Sequence, residues 1–85
     1  MDKYTVYVLQ NKQRRLYIGQ TGNLISRLDA HARGLSFFTK GKGPWWLVYQ
    51  EQYDTRAQAM AREKVLKTGR GRDFIKQIIS ARTRG

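Results

Sequence analysis

The residues best suited to chemistry in this chain are two tyrosines, Tyr7 and Tyr17, a basic pair at Arg27 and His31, and a glutamate, Glu63. Together they meet the needs of phosphodiester hydrolysis. That reaction requires a group to take a proton from the attacking water, positive charge over the phosphoryl oxygens, and a divalent cation to stabilise the leaving 3′ oxygen. Tyrosine, arginine and a glutamate-bound Mg2+ can supply these. A phenol titrating near pKa ~10 is a weak base at neutral pH unless adjacent cations lower that value, and this chain can place Arg27, a lysine or a metal nearby. Each residue also has an ordinary structural use. Cross-strand tyrosines stabilise sheets, Asn23, Arg27 and His31 form a polar helical stripe of a kind that is mostly solvated surface, and Glu63 can pair with Arg62, Lys67 or another cation.

Other chemistries lack their residues. With no cysteine and one histidine, disulfide frameworks, thiolate zinc sites, cysteine nucleophiles and His-rich metal sites are excluded. No GxGxxG or Walker loop, HExxH or GxSxG motif occurs. The acids are Asp2, Asp29, Glu51, Asp54, Glu63 and Asp73, too scattered in sequence to argue a two-metal centre. A single-metal site with one protein carboxylate is the most they support. Glu63 is the best candidate, because it shares a helix face with Ala59, Met60 and Leu66 and so approaches the protein body.

The elements that must position these groups are legible from pattern. Tyr4 to Leu9 and Leu16 to Ile18 are rich in β-branched and aromatic residues, and Asn11, Lys12 and Gln13 between them predict a hairpin turn. A loop of those three residues pairs Gln10 with Arg14, Val8 with Leu16, Tyr7 with Tyr17 and Val6 with Ile18. Tyr4, Val6, Val8, Leu16 and Ile18 then share a core face, while Thr5, Tyr7, Arg15, Tyr17 and Gly19 share the other. Thr21 or Asn23 can cap a helix over Leu24 to Arg33, with Leu24, Ile25, Leu28 and Ala32 at helical spacing and Gly34 following its end. Trp45 to Glu51 reads as a third strand. Thr55-Arg56-Ala57-Gln58 has capping-box spacing for a helix to about Lys67, which Gly69 and Gly71 break. A last short helix carries Phe74, Ile75, Ile78 and Ile79 toward a sheet. The order β-β-α-β-α-α is an α+β architecture with a small three-stranded antiparallel sheet flanked by helices.

Composition sets the partner class. Of 85 residues, 17 are Lys or Arg and 6 are Asp or Glu, a formal charge of +11, while 40% are hydrophobic and 12% aromatic. A basic globular domain with a polyanion partner, nucleic acid ahead of a lipid surface, is the expectation. One domain over residues 1–85 fits the length. The longest apolar run, Trp45 to Tyr49, is far short of the ~20 residues of a membrane span, and Met1-Asp2-Lys3 begins no signal-peptide core. A soluble, cytoplasmic protein with no membrane partner is expected. Nine of the cations lie from Arg56 to Arg84, where the only acids are Glu63 and Asp73. Nonspecific, salt-sensitive DNA binding is the natural use of that charge.

Thr5-Val6-Tyr7, Tyr17-Ile18-Gly19, Gln20-Thr21-Gly22-Asn23-Leu24, Arg27-Leu28 and His31 resemble the motif series of the GIY-YIG nuclease superfamily. Thr39-Lys40-Gly41-Lys42-Gly43-Pro44-Trp45, Arg62-Glu63-Lys64 and Leu66-Lys67 look like those of its compact stand-alone members. The resemblance spans residues 4 to about 80. Its weight lies in the order and spacing of separated motifs, and Thr5, where the name-giving motif has glycine, is a departure that stand-alone members tolerate. The resemblance implies the same three-stranded fold and DNA cleavage with Mg2+ or Mn2+, in repair, recombination or processing. By position it makes Tyr7 the general base or the group orienting the water, and Tyr17 a ligand of the scissile phosphate or a partner in that task. Arg27 would stabilise the transition state, His31 would assist phosphate binding or proton transfer, and Glu63 would hold the metal. Lys40, Lys42, Lys67, Arg70 and Arg72 are the candidate DNA contacts. In the loop from Phe37 to Trp46, Phe38 and Trp45 could stack on bases, but at least two of Phe37, Trp45 and Trp46 are expected to complete the core. Larger members carry a targeting domain for which no residues remain, so branched, nicked or single-stranded DNA, or delivery by a protein partner, is the implied substrate choice. A catalytically weak nucleic-acid-binding module of the same fold is the alternative.

Overall fold

A computed structural model describes residues 3–33 and 43–83. Its elements are β1 (Tyr4–Asn11), β2 (Leu16–Thr21), α1 (Leu24–Ala32), β3 (Trp45–Tyr53), α2 (Arg56–Leu66) and α3 (Gly69–Thr83). The expected α+β order is present. The sheet is antiparallel with order β2-β1-β3, so β1 is central. That placement follows from its composition, since Thr5 to Leu9 are all buried and only a strand covered on both faces accommodates such a run.

The hairpin forms in a register two residues from the expected one. Val8 pairs with Ile18, Tyr7 with Gly19 and Leu9 with Tyr17. Asn11 is the cause. Its side-chain oxygen accepts the backbone N–H groups of Gln13 and Arg15 at 3.1 and 2.9 Å, which keeps Asn11 at the base of the turn and moves the loop to Lys12, Gln13 and Arg14. Arg14 closes that turn at a φ of 64°. A shift of two preserves side-chain alternation, so both tyrosines stay on the face expected for them.

On the other face Val6, Val8 and Ile18 join Ala59, Leu66 and Ile75 in the core, with Tyr4, Leu16, Val48, Tyr49, Tyr53 and Ile79 packed around them. Leu66 and Ile75 are fully buried, and each contributes roughly 1.5–3 kcal/mol. α2 begins on the capping box anticipated at Thr55 and Gln58. The last helix differs from expectation: it is 15 residues long, begins at Gly69 and contains Gly71. Gly71 starts this packing instead of ending it. A Cβ there would sit 2.3 Å from the Val65 carbonyl oxygen and 2.4 Å from Leu66 Cα, so only glycine lets α3 cross the end of α2 this closely. Thr68 secures the junction, its carbonyl and hydroxyl oxygens accepting the N–H groups of Arg72 and Gly71. Trp46 also departs from expectation. It is 49% exposed on the edge strand β3 and does not complete the core, Trp45 is half-buried, and Phe37 lies outside the described residues.

Candidate active site

Tyr7 lies on the central strand, fully buried, and its pairing partner on β2 is Gly19. A Cβ on Gly19 would come within 2.7 Å of the Tyr7 hydroxyl and 2.9 Å of Cζ. The glycine is therefore the space in which the Tyr7 ring lies. Tyr17, two residues earlier on β2, brings its ring centroid to 6.2 Å from that of Tyr7.

α1 closes over this pair. Asn23 caps the helix by accepting the Ser26 N–H at 3.0 Å, and the helix then turns His31 inward. Leu24 and Leu28 are half-buried and Arg27 is exposed, as expected, but His31 and Ile25 exchange places. His31 is its one buried residue, whereas Ile25, placed on the apolar face by spacing, is 83% exposed. The His31 ring lies 4.8 Å from Tyr17 and 5.8 Å from Tyr7, and its Nε2 shares a 3.0 Å hydrogen bond with the Tyr7 hydroxyl. A buried imidazole needs such a partner, and the buried phenol opposite provides it.

Electrostatics join the remaining two residues to this cluster. Burial raises the Tyr7 phenol well above its ordinary value, Tyr17 and Glu63 add to the rise, and Arg27 opposes it. Arg27 thus acts in the direction expected of a nearby cation, but desolvation of a fully buried ring outweighs one exposed guanidinium. Burial also lowers the His31 imidazole, with Arg27 acting in the same direction. At neutral pH both partners of the hydrogen bond are uncharged.

Glu63 is half-buried on α2 and accepts a hydrogen bond from Lys67 Nζ at 2.6 Å. Met60, expected on the same inward face, is 49% exposed. The neighbouring Arg62 goes elsewhere, donating from Nε and Nη2 to the two Glu51 oxygens at 2.9 and 3.1 Å, and Tyr49 and Tyr53 donate to the same carboxylate. This network ties α2 to β3 on the core face. It fixes the helix from which Glu63 projects. Nothing in the spacing of Glu51 foretold it except the tyrosines two residues to either side.

An open cleft of about 400 Å³ adjoins the cluster, lined by Arg15, Leu16, Tyr17, Ile18, Trp45, Lys67 and Arg72. Of the basic residues named from sequence, Lys67 and Arg72 therefore share a cleft with Tyr17. Arg70 is exposed on α3 but does not line the cleft, and Lys40 and Lys42 lie outside the described residues. Arg15, expected on the tyrosine face but not named among the candidate contacts, lines the cleft, and Trp45, whose ring is 6.5 Å from Tyr17, belongs to its wall. Only the reach of Trp45 across the end of β1 brings the two rings together.

A family model described as the GIY-YIG catalytic domain matches residues 3–76. The chain belongs to the GIY-YIG family. Relatives include a UPF0213 protein of Staphylococcus haemolyticus, 37% identical over 92% of this chain and 96% of its own length. Another UPF0213 protein, of Staphylococcus aureus, is 38% identical over 80% of this chain and 84% of its own. The solution structure of a UPF0213 protein from Bacillus halodurans superposes with a TM-score of 0.56 at 28% identity, covering 89% of this chain and 84% of that one. A GIY-YIG domain points to nuclease activity on a nucleic-acid substrate, and nucleases of this family generally use divalent metals. In this GIY-YIG chain no helix among the described residues is long and apolar enough to cross a membrane.

The donor chemistry around Glu63 can be tested against a divalent ion. No group of three or more His, Cys, Asp or Glu side chains converges among the described residues, so a cage built from protein ligands is absent there. Mg2+ and Mn2+ do not require one. Mg2+ commonly takes one or two carboxylates and completes its shell with water and substrate phosphate oxygens. A half-buried carboxylate beside a basic cleft fits that pattern, provided that Lys67 gives way.

Proposed function

We propose that this GIY-YIG protein is a divalent-metal-dependent endonuclease that hydrolyses phosphodiester bonds in DNA. The observation that carries the reading is the Tyr7–Tyr17–His31 cluster within the electrostatic reach of Arg27 and Glu63. Neither tyrosine is needed there for the aliphatic core, which lies on the opposite sheet face.

Tyr7 orients the attacking water and takes its proton at the phenolic oxygen while its own proton passes to His31 across the 3.0 Å hydrogen bond. The lowered His31 basicity limits how long it keeps that proton, which suits a transient relay. As the water oxygen bonds to phosphorus, the bond from phosphorus to the 3′ oxygen breaks and the leaving oxygen acquires a proton from solvent. Tyr17 donates to a nonbridging phosphate oxygen, and Arg27 offsets the charge that grows on the phosphoryl group. Glu63 would hold Mg2+ or Mn2+, which supplies Lewis-acid stabilisation of the leaving oxygen. Lys67, Arg72 and Arg15 grip the backbone in the cleft, joined by Lys40, Lys42 and Arg70 as further DNA contacts.

The Glu63–Lys67 ion pair favours the second reading, a binding module with little turnover, because it occupies the carboxylate. A cleavage panel separates the two. Supercoiled, linear, single-stranded and branched DNA are incubated with the chain, with and without Mg2+ or Mn2+. The nuclease reading expects metal-dependent nicking of at least one form, and no cleavage of any form supports the binding module.

A further inference from the structure

Arg14 occupies a backbone conformation that side chains rarely adopt, with φ at 64° in the turn between β1 and β2. Glycine is the residue such a turn favours. Arginine there carries backbone strain, so its side chain is the natural place to look for a compensating use. That side chain lines a second cleft, of about 570 Å³, together with Gln10, Lys76, Ile79 and Ser80. Among the described residues no carboxylate pairs with Arg14 or Lys76.

The linings of the two clefts are neighbours along the hairpin and along α3. Arg15 lines one and Arg14 the other, and Leu16 in the first pairs directly with Gln10 in the second. On α3, Arg72 lines the first cleft and Lys76 and Ser80 line the second. Residues spaced by four lie about 6 Å apart along a helix axis and share one face. A row of two cations and a hydroxyl therefore leads away from the Tyr17 cleft, faced by consecutive arginines from the hairpin tip.

Resting on the nucleic-acid reading above, we propose that this second cleft binds the sugar-phosphate backbone of duplex DNA flanking the cleaved bond, with Arg14 and Lys76 as its phosphate contacts. The protein would then need substrate that extends past the active site on this side. Arg14→Gly separates binding from folding, because glycine relieves the positive φ and so holds or raises the melting temperature. Binding of a fluorescent long DNA duplex and of a short one that fills only the first cleft is measured against salt for the wild type, Arg14→Gly, Lys76→Gln and the double variant. Loss of two phosphate contacts is expected to lower the salt slope by about 1.8 and to weaken long-duplex binding about tenfold, leaving short-duplex binding unchanged. Wild-type binding to the long duplex with the same slope and affinity in the double variant overturns this proposal alone. A wild-type chain that binds no DNA overturns the nuclease reading together with it.

Discussion

Gly19→Ala tests whether the hairpin register and the site are one construction. Its added Cβ would lie 2.7 Å from the Tyr7 hydroxyl, 2.9 Å from Cζ and 3.2 Å from Tyr17 Cε1, where ordinary contact begins near 3.4 Å. The Tyr7 ring would have to retreat by roughly 0.7 Å, the difference between 3.4 and 2.7 Å. It has little room to do so. Tyr7 is fully buried and hydrogen-bonded to His31, so the overpacking cost should be about 2 kcal/mol. For a domain of this size that lowers the melting temperature by roughly 8–16 °C. A displacement approaching 1 Å at a reacting group can also cost up to ~100-fold in rate. Gly69→Ala is the control, since a Cβ there meets nothing within 4 Å and lies in the first turn of α3; its stability should hold or rise by up to about 1 kcal/mol. Thermal unfolding followed by cleavage rates at a permissive temperature gives both quantities. A Gly19→Ala protein that melts and cleaves like the wild type would refute the close approach of Tyr7 to β2.

Other expectations follow from the same geometry. Gly71→Ala drives a methyl group into the Val65 carbonyl and Leu66 backbone, so it should cost about 3 kcal/mol, read by urea denaturation. The His31 imidazole is lowered by burial and by Arg27, so the unfolded chain binds its proton first as pH falls. Its stability contribution is full above 6.5 and declines below it toward the lower native value, and melting temperatures in His31→Gln should vary less over that window. Burial alone would raise the Glu51 carboxyl, but hydrogen bonds from Arg62, Tyr49 and Tyr53 outweigh it and hold it below its ordinary value. That contribution is present above pH 4.5 and lost as pH falls through the native value, so Glu51→Gln should flatten the acid limb of a stability profile.

Strand alternation was enough to place Tyr7 and Tyr17 on one face and Val6, Val8 and Ile18 on the other, because a two-residue slip leaves that assignment intact. It could not fix the register itself. That was decided by one asparagine side chain competing for backbone N–H groups and by an arginine in a turn position favouring glycine. The inward turn of His31 on α1 was hidden for a different reason: hydrophobic spacing favoured Ile25, whereas burying His31 against a phenol satisfied both polar groups. Gly71 looked like a helix stop because the tertiary approach of α3 to Leu66 has no local signature. Of the proposed site, the motif residues and the Glu63–Lys67 pair at i,i+4 could be named in advance, but the place of Arg15 on the cleft wall depends on how α3 packs and has no local signature.

The central claim rests on Glu63 serving turnover and not grip. Glu63→Ala and the wild type are compared for single-turnover cleavage of the best substrate from the panel and for equilibrium binding of that DNA. The account predicts that cleavage disappears while binding holds or tightens, since removing Glu63 frees Lys67 for phosphate. Cleavage at the wild-type rate by Glu63→Ala would contradict it.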